Sequence, residues 1–169
     1  MERVQRRDRT SKETPVSPAT QPISAPTHSV GEVISITQNN LNLQFTVNST
    51  RVEPGKGVIQ PNKENQWVVV DTTIVNQGQQ PQTFSVVSFK VIDGNNNTYE
   101  VALLASALED IETPTGEINP GDKRQGQLVF EVPEDTSQLK LLFQLNPIEC
   151  EEKSTAAKAL DCQPIVVKL

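Results

Sequence analysis

Apolar and polar residues alternate along most of the chain after residue 30. The clearest runs are 41–47 and 139–145, and shorter ones cover 99–103, 128–132 and 165–169. Because successive side chains of a β-strand point to opposite faces, a period of two predicts strands with one buried and one exposed face.

Two segments depart from simple alternation. Residues 67–70 are apolar throughout, which predicts a central strand that is covered on both faces. Phe84 and Val86 alternate out of phase with Phe89 and Val91, and this predicts a β-bulge between Val86 and Phe89.

Turn-forming residues separate these runs. Gly combines with Asn, Asp or Pro at 53–57, 76–78, 93–97 and 119–122. The Asp93-Gly94 pair between two strand patterns predicts a hairpin. Two short segments, 104–111 and 155–160, have helix-forming composition, but both are too short to form a layer. The whole pattern predicts an all-β fold: a two-sheet antiparallel β-sandwich of about 7–9 strands.

Three aromatic residues are predicted to form part of the structural core: Trp67, Phe130 and Phe143. Trp67 is the only Trp of the chain and lies in the predicted central strand, so we expect it to pack between the two sheets. The alternative is an exposed contact for a partner, which the flanking valines 68–70 disfavour.

The first 28 residues differ in composition from the rest. They contain four Pro, few large aliphatic residues, and five basic against three acidic residues. Such a segment cannot bury enough apolar area to offset its chain entropy, so we predict a disordered tail at 1–28 and a domain at 29–169. The basic residues of this tail form either a solvated arm or a membrane-proximal or partner-binding arm.

Composition excludes several classes of function. The net charge of −6 argues against a nucleic-acid-binding protein, which needs a basic face. The only His, His28, falls in the predicted tail, so a His-dependent triad is excluded, and two Cys and one Met are too few for a zinc or copper cluster. The sequence contains no run of 18 apolar residues, so it predicts no transmembrane segment. We therefore predict no catalytic or metal-binding residues and no cofactor.

Residues 93–104 partly match a calcium-binding motif. Asp93, Asn95 and Asn97 match the first three ligand positions of an EF-hand loop. Thr98 occupies the sixth position, which requires Gly, and Leu104 occupies the twelfth, which requires Glu. A polar hairpin tip is the better interpretation.

A second acidic group lies in one connection, at Glu109, Asp110, Glu112 and Glu117. The loop Glu109–Glu117 could bind a cation if it folds back on itself, and the alternative is a solvated face. An acidic β-protein also leaves open a pair of carboxylates for glycoside hydrolysis, although the spacing singles out no such pair.

The only two cysteines, Cys150 and Cys162, flank a polar segment without a strand pattern. We predict a disulfide between them, which would close this excursion and hold the last strand in register. Such a bond favours an extracytoplasmic location (periplasmic, cell surface or secreted), although the chain start shows no apolar signal region. The alternative is two free thiols in the cytoplasm.

Three stretches that follow one another along the chain, 67–81, 88–101 and 118–143, resemble a telokin-like, immunoglobulin-like domain of unknown function. That domain is common in bacterial secreted proteins and lipoproteins. The positions that carry this resemblance are Trp67, Asn76, Asp93, Gly94, Tyr99, Pro120, Gly121, Gly126, Leu128, Val129, Phe130, Val132 and Pro133. The resemblance covers roughly residues 30–147. It implies an immunoglobulin-like fold and an extracytoplasmic location, and it brings no catalytic residues. Gly126 also has a physical interpretation, because a Gly in a strand marks a crowded point.

These observations favour a non-catalytic immunoglobulin-like interaction module of the bacterial cell envelope, which presents loops or an edge strand to a protein or envelope partner. One alternative is a soluble ligand-binding or protease-inhibitor-like domain with a small pocket between the sheets. Another is a carboxylate-based hydrolase, which would need a buried pair of carboxylates in a cleft.

Overall fold

The computed structural model describes residues 25–38, 41–103, 105, 111–151 and 162–169. Within these ranges the chain forms eleven strands: β1 (Thr27–Ser29), β2 (Ile34–Gln38), β3 (Leu41–Glu53), β4 (Asn65–Asn76), β5 (Gln82–Phe84), β6 (Phe89–Ile92), β7 (Thr98–Glu100), β8 (Gly116–Ile118), β9 (Lys123–Pro133), β10 (Lys140–Phe143) and β11 (Ile165–Lys168). A 3-10 turn covers Val86–Ser88, and a short helix, α1, covers Pro147–Glu151. None of the helices in the described ranges has the length and apolar character needed to cross a bilayer.

Two sheets form the sandwich. One has the order β1-β11-β10-β6-β7, the other has the order β2-β3-β4-β9, and β5 and β8 form a small separate pair. All pairs are antiparallel except β1 with β11, which is parallel. The all-β sandwich prediction is confirmed. More strands are present than the 7–9 expected because strands such as β1 and β8 have three residues, too few to show alternation.

The space between the two sheets is filled by aromatic and aliphatic side chains. The Phe143 ring packs against Phe89 at 4.8 Å and Phe45 at 4.7 Å between ring centroids. Phe130, which is fully buried, belongs to the same cluster. Phe130 and Phe143 therefore lie in the intersheet core.

Strand β4 is central to its sheet and buried on both faces. It pairs with β3 on one side and β9 on the other, as its continuous apolar run predicted. Val68 and Val70 face the intersheet core, whereas Trp67 points the opposite way. Trp67 is only 2% exposed, but the expectation that it packs between the sheets is wrong, since its position in the alternation puts it on the outer face.

Trp67 belongs to a second apolar cluster, which we call the outer cluster. Its buried members are Trp67, Val69, Ala105 and Val129, and Ile59, Ala102 and Ile111 pack at its margin. The connection that follows β7 supplies its cover, because Ala102 and Ile111 both belong to that connection. The Ala102 N–H donates to the Val129 carbonyl at 2.7 Å, which ties the start of this connection to β9.

Gly126 of β9 lies directly under the far end of the same connection. The Gln127 N–H donates to the Glu112 carbonyl at 2.6 Å, so the two backbones run side by side. A Cβ atom on Gly126 would lie 2.4 Å from the Pro114 nitrogen. The prediction that Gly126 marks a crowded point is confirmed.

The phase change between Phe84 and Phe89 has a different origin from the one predicted. No bulge is present there. The chain leaves β5 of the small sheet, makes the 3-10 turn at Val86–Ser88 and enters β6 of the five-stranded sheet. The two apolar runs are out of phase because they belong to different sheets. The predicted hairpin at Asp93-Gly94 is confirmed, since it joins β6 to the antiparallel strand β7.

The amino-terminal strand begins two residues earlier than the predicted domain boundary. Thr27 and His28, expected in the tail, are in β1 and pair with Val166 and Val167 of β11. Residues 1–24 lie outside the described residues, so the tail stays a prediction for them. The same holds for the helix-forming segment 155–160 and for most of 104–111.

Candidate functional site

Three large apolar side chains are exposed near the short helix α1. Val87 is 50% exposed, Leu103 66% and Ile148 74%. Val87 and Ile148 line a groove of about 310 Å³ together with Leu103, and they line a second groove of about 290 Å³ without it. A third groove of about 240 Å³ shares Val87 and Pro147 with the other two.

These grooves meet at one feature, which we call the apolar surface. We define it by six residues: Val86, Val87, Val101, Leu103, Pro147 and Ile148. The 3-10 turn supplies the first two, the chain leaving β7 supplies the next two, and α1 supplies the last two. Three separate parts of the sequence thus converge on one surface.

Two charged residues of opposite sign border the apolar surface. Lys90 of β6 and Glu100 of β7 are register partners and line the 310 Å³ groove. One charge of each sign gives the groove no net preference for a cation or an anion. The recognition chemistry of this surface is therefore mainly apolar.

The disulfide lies beside the apolar surface. Cys150, in α1, and Cys162 are joined as the sequence predicted, with their Cα atoms 5.5 Å apart. Both line the 240 Å³ groove. The Gln144 side-chain amide donates to the Cys162 carbonyl at 2.7 Å, which fixes that end of the bond against the end of β10.

The Asp93 carboxylate is engaged within its own hairpin. It accepts hydrogen bonds from the backbone N–H of Asn95 at 2.8 Å and of Asn97 at 2.9 Å. The Asn97 side-chain amide at 2.8 Å and the Tyr99 hydroxyl at 3.0 Å also donate to it. The Asn97 side-chain bond is the main reason that the pKa of Asp93 lies below its ordinary value. This geometry supports the hairpin-tip interpretation, because donors occupy the carboxylate that a cation would need.

The Glu131 carboxylate is engaged in the same way. It accepts hydrogen bonds from the Asn62 N–H at 2.8 Å, the Asn65 side-chain amide at 2.8 Å and the Trp67 indole N–H at 3.4 Å. Burial acts to raise the pKa of Glu131, but these donors outweigh it and leave the pKa below its ordinary value. Asp71 likewise accepts from the side-chain amides of Asn48 and Gln125. All three carboxylates face amide, indole or hydroxyl donors.

The acidic connection is described only in part. Glu109 and Asp110 lie outside the described residues, while the Glu112 carbonyl accepts from β9 as given above. Within the described ranges, no group of three or more His, Cys, Asp or Glu residues could hold a metal ion.

The sequence had identified the disulfide but had missed the apolar surface. Val87, Leu103 and Ile148 each stand in a short local context that looks like an ordinary strand or loop. The out-of-phase run around Val86 lies at this surface, but by itself it predicts a bulge. Their proximity is a consequence of the fold.

Several solved structures share this fold. The yjhA protein from Bacillus subtilis is 19% identical, with a TM-score of 0.58, and the alignment covers 84% of this chain and 98% of that protein. A secreted protein from Mycobacterium tuberculosis, MPT63, is 14% identical, with a TM-score of 0.57 over 87% of this chain and 99% of that one. A putative lipoprotein, ycdA, from Bacillus subtilis is 14% identical, with a TM-score of 0.58, over 81% of this chain and 38% of that one.

Sequence comparison gives a family but no characterised relative. No curated protein matches the chain. Residues 31–154 match a family model that is described as a domain of unknown function, DUF4352. This match covers both sheets except β1 and β11, and it includes Val87, Leu103 and Ile148. The chain therefore belongs to the DUF4352 family.

Proposed function

We propose that this domain is a non-catalytic interaction module that acts outside the cytoplasm, at the bacterial cell envelope. It binds a protein or envelope partner through the apolar surface. The sandwich is proposed to be of the telokin-like immunoglobulin type, with a domain that begins at β1, at Thr27, instead of at the predicted residue 29. A rigid sandwich of this kind can present a surface without rearranging.

The convergence of Val87, Leu103 and Ile148 carries the proposal. Each is at least half exposed, yet each lines the same groove. Single exposed apolar residues are common on soluble proteins, but a contiguous set from separate elements marks an interaction site. A partner that covered them would remove three large side chains from water.

The disulfide supports the extracytoplasmic location. Such bonds persist in oxidising compartments and are rare in the cytosol. MPT63 is a secreted protein and ycdA a putative lipoprotein, and both have the same fold as this chain. Together these observations favour a location outside the cytoplasm.

A second candidate function is the binding of a small apolar ligand. The 310 Å³ groove is at the lower end of the range for ligand pockets. Its lining includes Lys90 and Glu100 of β6 and β7 as well as Phe89, which belongs to the intersheet core. We propose no catalytic role, because Asp71, Asp93 and Glu131 are each held by hydrogen-bond donors.

Site-specific cross-linking tests the proposal. A photo-cross-linking amino acid is placed at Ile148 in the full chain, which is expressed in cells whose envelope is then irradiated. Val58, a fully exposed apolar residue in the turn between Lys56 and Ile59, serves as the matched control position. We expect a discrete adduct from Ile148 and none from Val58. Equal labelling at both positions, or none at Ile148, would contradict the proposal.

A further inference from the structure

One side of the apolar surface is formed by α1, a helix that is too short to be stable by itself. α1 has five residues, from Pro147 to Glu151. Isolated helices of that length are unstable in water, because nucleation fixes several residues for one hydrogen bond. Ile148 is 74% exposed, so its side chain contributes little packing to hold the helix. The position of α1 must therefore come from its two ends.

The amino-terminal end is held by the chain that leads out of β10. Leu145 packs against the intersheet core, and the Gln144 N–H donates to the Ser88 carbonyl at 2.8 Å. These contacts fix the point at which α1 begins. They do not fix its direction, since a short segment attached at one end can still rotate.

The carboxyl-terminal end is held by the disulfide. Cys150 is bonded to Cys162, and the Cys162 carbonyl is in turn held by the Gln144 side chain. The bond therefore connects the carboxyl-terminal end of α1 back to the end of β10, next to the point where α1 begins. Apart from the peptide chain itself, it is the one covalent link within the described residues that holds α1 against the sheet.

The sandwich itself does not depend on this bond. Strand β11 is paired along its length with β10, and Val167 is fully buried in the intersheet core. Neither cysteine belongs to the intersheet core or to the outer cluster. Opening the bond would release α1 while leaving the sheets paired.

The bond is also within reach of a small reagent. Cys150 and Cys162 both line the 240 Å³ groove, and both are only partly buried. A dithiol can enter such a groove and attack one sulfur. The dithiol then supplies two electrons and two protons, so that Cys150 and Cys162 become thiols and the dithiol closes to a cyclic disulfide.

We propose that the Cys150–Cys162 disulfide is a redox-sensitive anchor for the apolar surface: when it is reduced, Pro147 and Ile148 leave the surface while the sandwich stays folded. The biological use of this anchor rests on the proposed function, because it makes partner binding depend on an oxidising compartment. The anchor itself is a property of the fold and can be tested without a partner.

Nuclear magnetic resonance of the ¹⁵N-labelled full chain tests the anchor. Backbone order parameters are measured for Ile148 and Cys150, and for Val69 and Val129 in the sheets, before and after treatment with dithiothreitol. We expect the first pair to fall from about 0.85, typical of rigid backbone, to below about 0.6 after reduction. The second pair should keep its value of about 0.85.

A double variant, C150S/C162S, provides the control for the reagent. It should show the mobile α1 without reduction, and dithiothreitol should cause no further change. Unchanged order parameters at Ile148 and Cys150 in both the reduced protein and the variant would overturn the proposal. Loss of the Val69 and Val129 signals on reduction would also overturn it, because the sandwich would then depend on the bond.

Cross-linking of the disulfide-bonded protein and of the C150S/C162S variant separates this proposal from the proposed function. With the photo-cross-linker at Ile148, the adduct should fall at least tenfold in the C150S/C162S variant. An adduct of equal yield in both forms would overturn the anchor but leave the interaction surface standing. If neither form gives an adduct, the proposed function fails, and the order parameters alone decide whether the anchor exists.

Discussion

The outer cluster and the three exposed members of the apolar surface, Val87, Leu103 and Ile148, are both groups of apolar residues outside the intersheet core. Trp67, Val69 and Val129 of the outer cluster are almost completely buried. Val87, Leu103 and Ile148 of the apolar surface are between half and three quarters exposed. The two groups thus have similar chemistry and opposite exposure.

The difference comes from the connection that follows β7. This connection crosses from the five-stranded sheet to the outer face of the other sheet, where it covers Trp67. Leu103 lies in the same connection but lines the 310 Å³ groove. One segment therefore completes the outer cluster and leaves the apolar surface uncovered. A covered apolar group contributes to stability, whereas an uncovered one is available to a partner.

The largest expected effect comes from emptying the outer cluster. We expect W67A to lower the free energy of unfolding by about 3–5 kcal/mol, the usual range for deletion of a buried Trp. Urea denaturation followed by circular dichroism measures this, since Trp67 is the only Trp and its fluorescence is lost. The matched control is I148A, which should change stability by less than about 0.5 kcal/mol. Similar losses for both variants would show that the two groups do not differ.

Removal of the disulfide should cause the next largest loss in the free energy of unfolding. Closing a loop of this length stabilises by about 3 kcal/mol in the chain-entropy model, so C150S/C162S should lose about that amount. The loss arises mainly from greater freedom of the unfolded chain. Thermal denaturation of the variant and of the oxidised protein measures it. A loss below about 1 kcal/mol would mean that the unfolded chain is not restrained by the bond as this model assumes.

Adding one methyl group at Gly126 should disturb the cover of the outer cluster. The new Cβ would meet backbone atoms of Thr113 and Pro114 at 2.5 and 2.4 Å, and backbone cannot rotate away. We expect G126A to cost about 1–3 kcal/mol, as for other overpacked sites. G94A is the matched control, because its Cβ would meet only the flexible side chain of Gln138. Equal costs for the two variants in urea denaturation would contradict the crowding argument.

Glu131 should make the edge of the outer cluster sensitive to acid. Its pKa is lowered in the folded state, so in acid the unfolded state takes up its proton first and is favoured. The free energy of unfolding should therefore be highest above the ordinary Glu pKa of about 4.3 and should fall as the pH drops through the lowered folded-state value. E131Q should lose about 1 kcal/mol at pH 7 and show a shallower fall with acid.

The pH dependence of E131Q should not vanish altogether. The pKa of Asp93 is also lowered, so its hairpin contributes a fall of the same sign. Urea denaturation at pH 7 and pH 3 compares the variant with the wild type. An identical slope in the two proteins would show that Glu131 gains no stability from its donors.

The smallest expected effect on stability comes from the apolar surface. V87D and I148D place a charge where the side chain is already solvated, so each should change the free energy of unfolding by less than about 0.5 kcal/mol. V87D should strongly reduce the adduct formed from a cross-linker at Ile148, and I148D should strongly reduce partner binding, because a buried charge is costly in an interface. A loss of several kcal/mol would show that this surface is part of the fold.

Much of the fold was predictable because a strand has a local sequence signal, the alternation of apolar and polar residues. The run at 67–70 correctly indicated a central strand, and the Asp93-Gly94 pair correctly indicated a hairpin. The crowding at Gly126 was also foreseen. The errors lay where two distant segments meet: the break near Val86 is a change of sheet, and β1 begins at Thr27 through pairing with β11.

Of the candidate site, only the disulfide was predictable from the sequence. With two cysteines in the chain, the pairing of any intramolecular disulfide follows from their number. The members of the apolar surface have no common sequence signal, because Val87, Leu103 and Ile148 come from a 3-10 turn, a connection and a one-turn helix. Their shared groove exists only after the sheets have formed.

By itself, the sequence determined most of the strands, the alternation of side chains along them, and which cysteines can be joined. The tertiary structure decided what lies over each face. Trp67 shows the distinction: the sequence indicated a buried Trp in a central strand and placed it between the sheets. The fold instead put it on the outer face with Ala105, and left Ile148 without a cover. The physical reason is that alternation is set by the geometry of one strand, whereas burial depends on segments that are far apart in the chain.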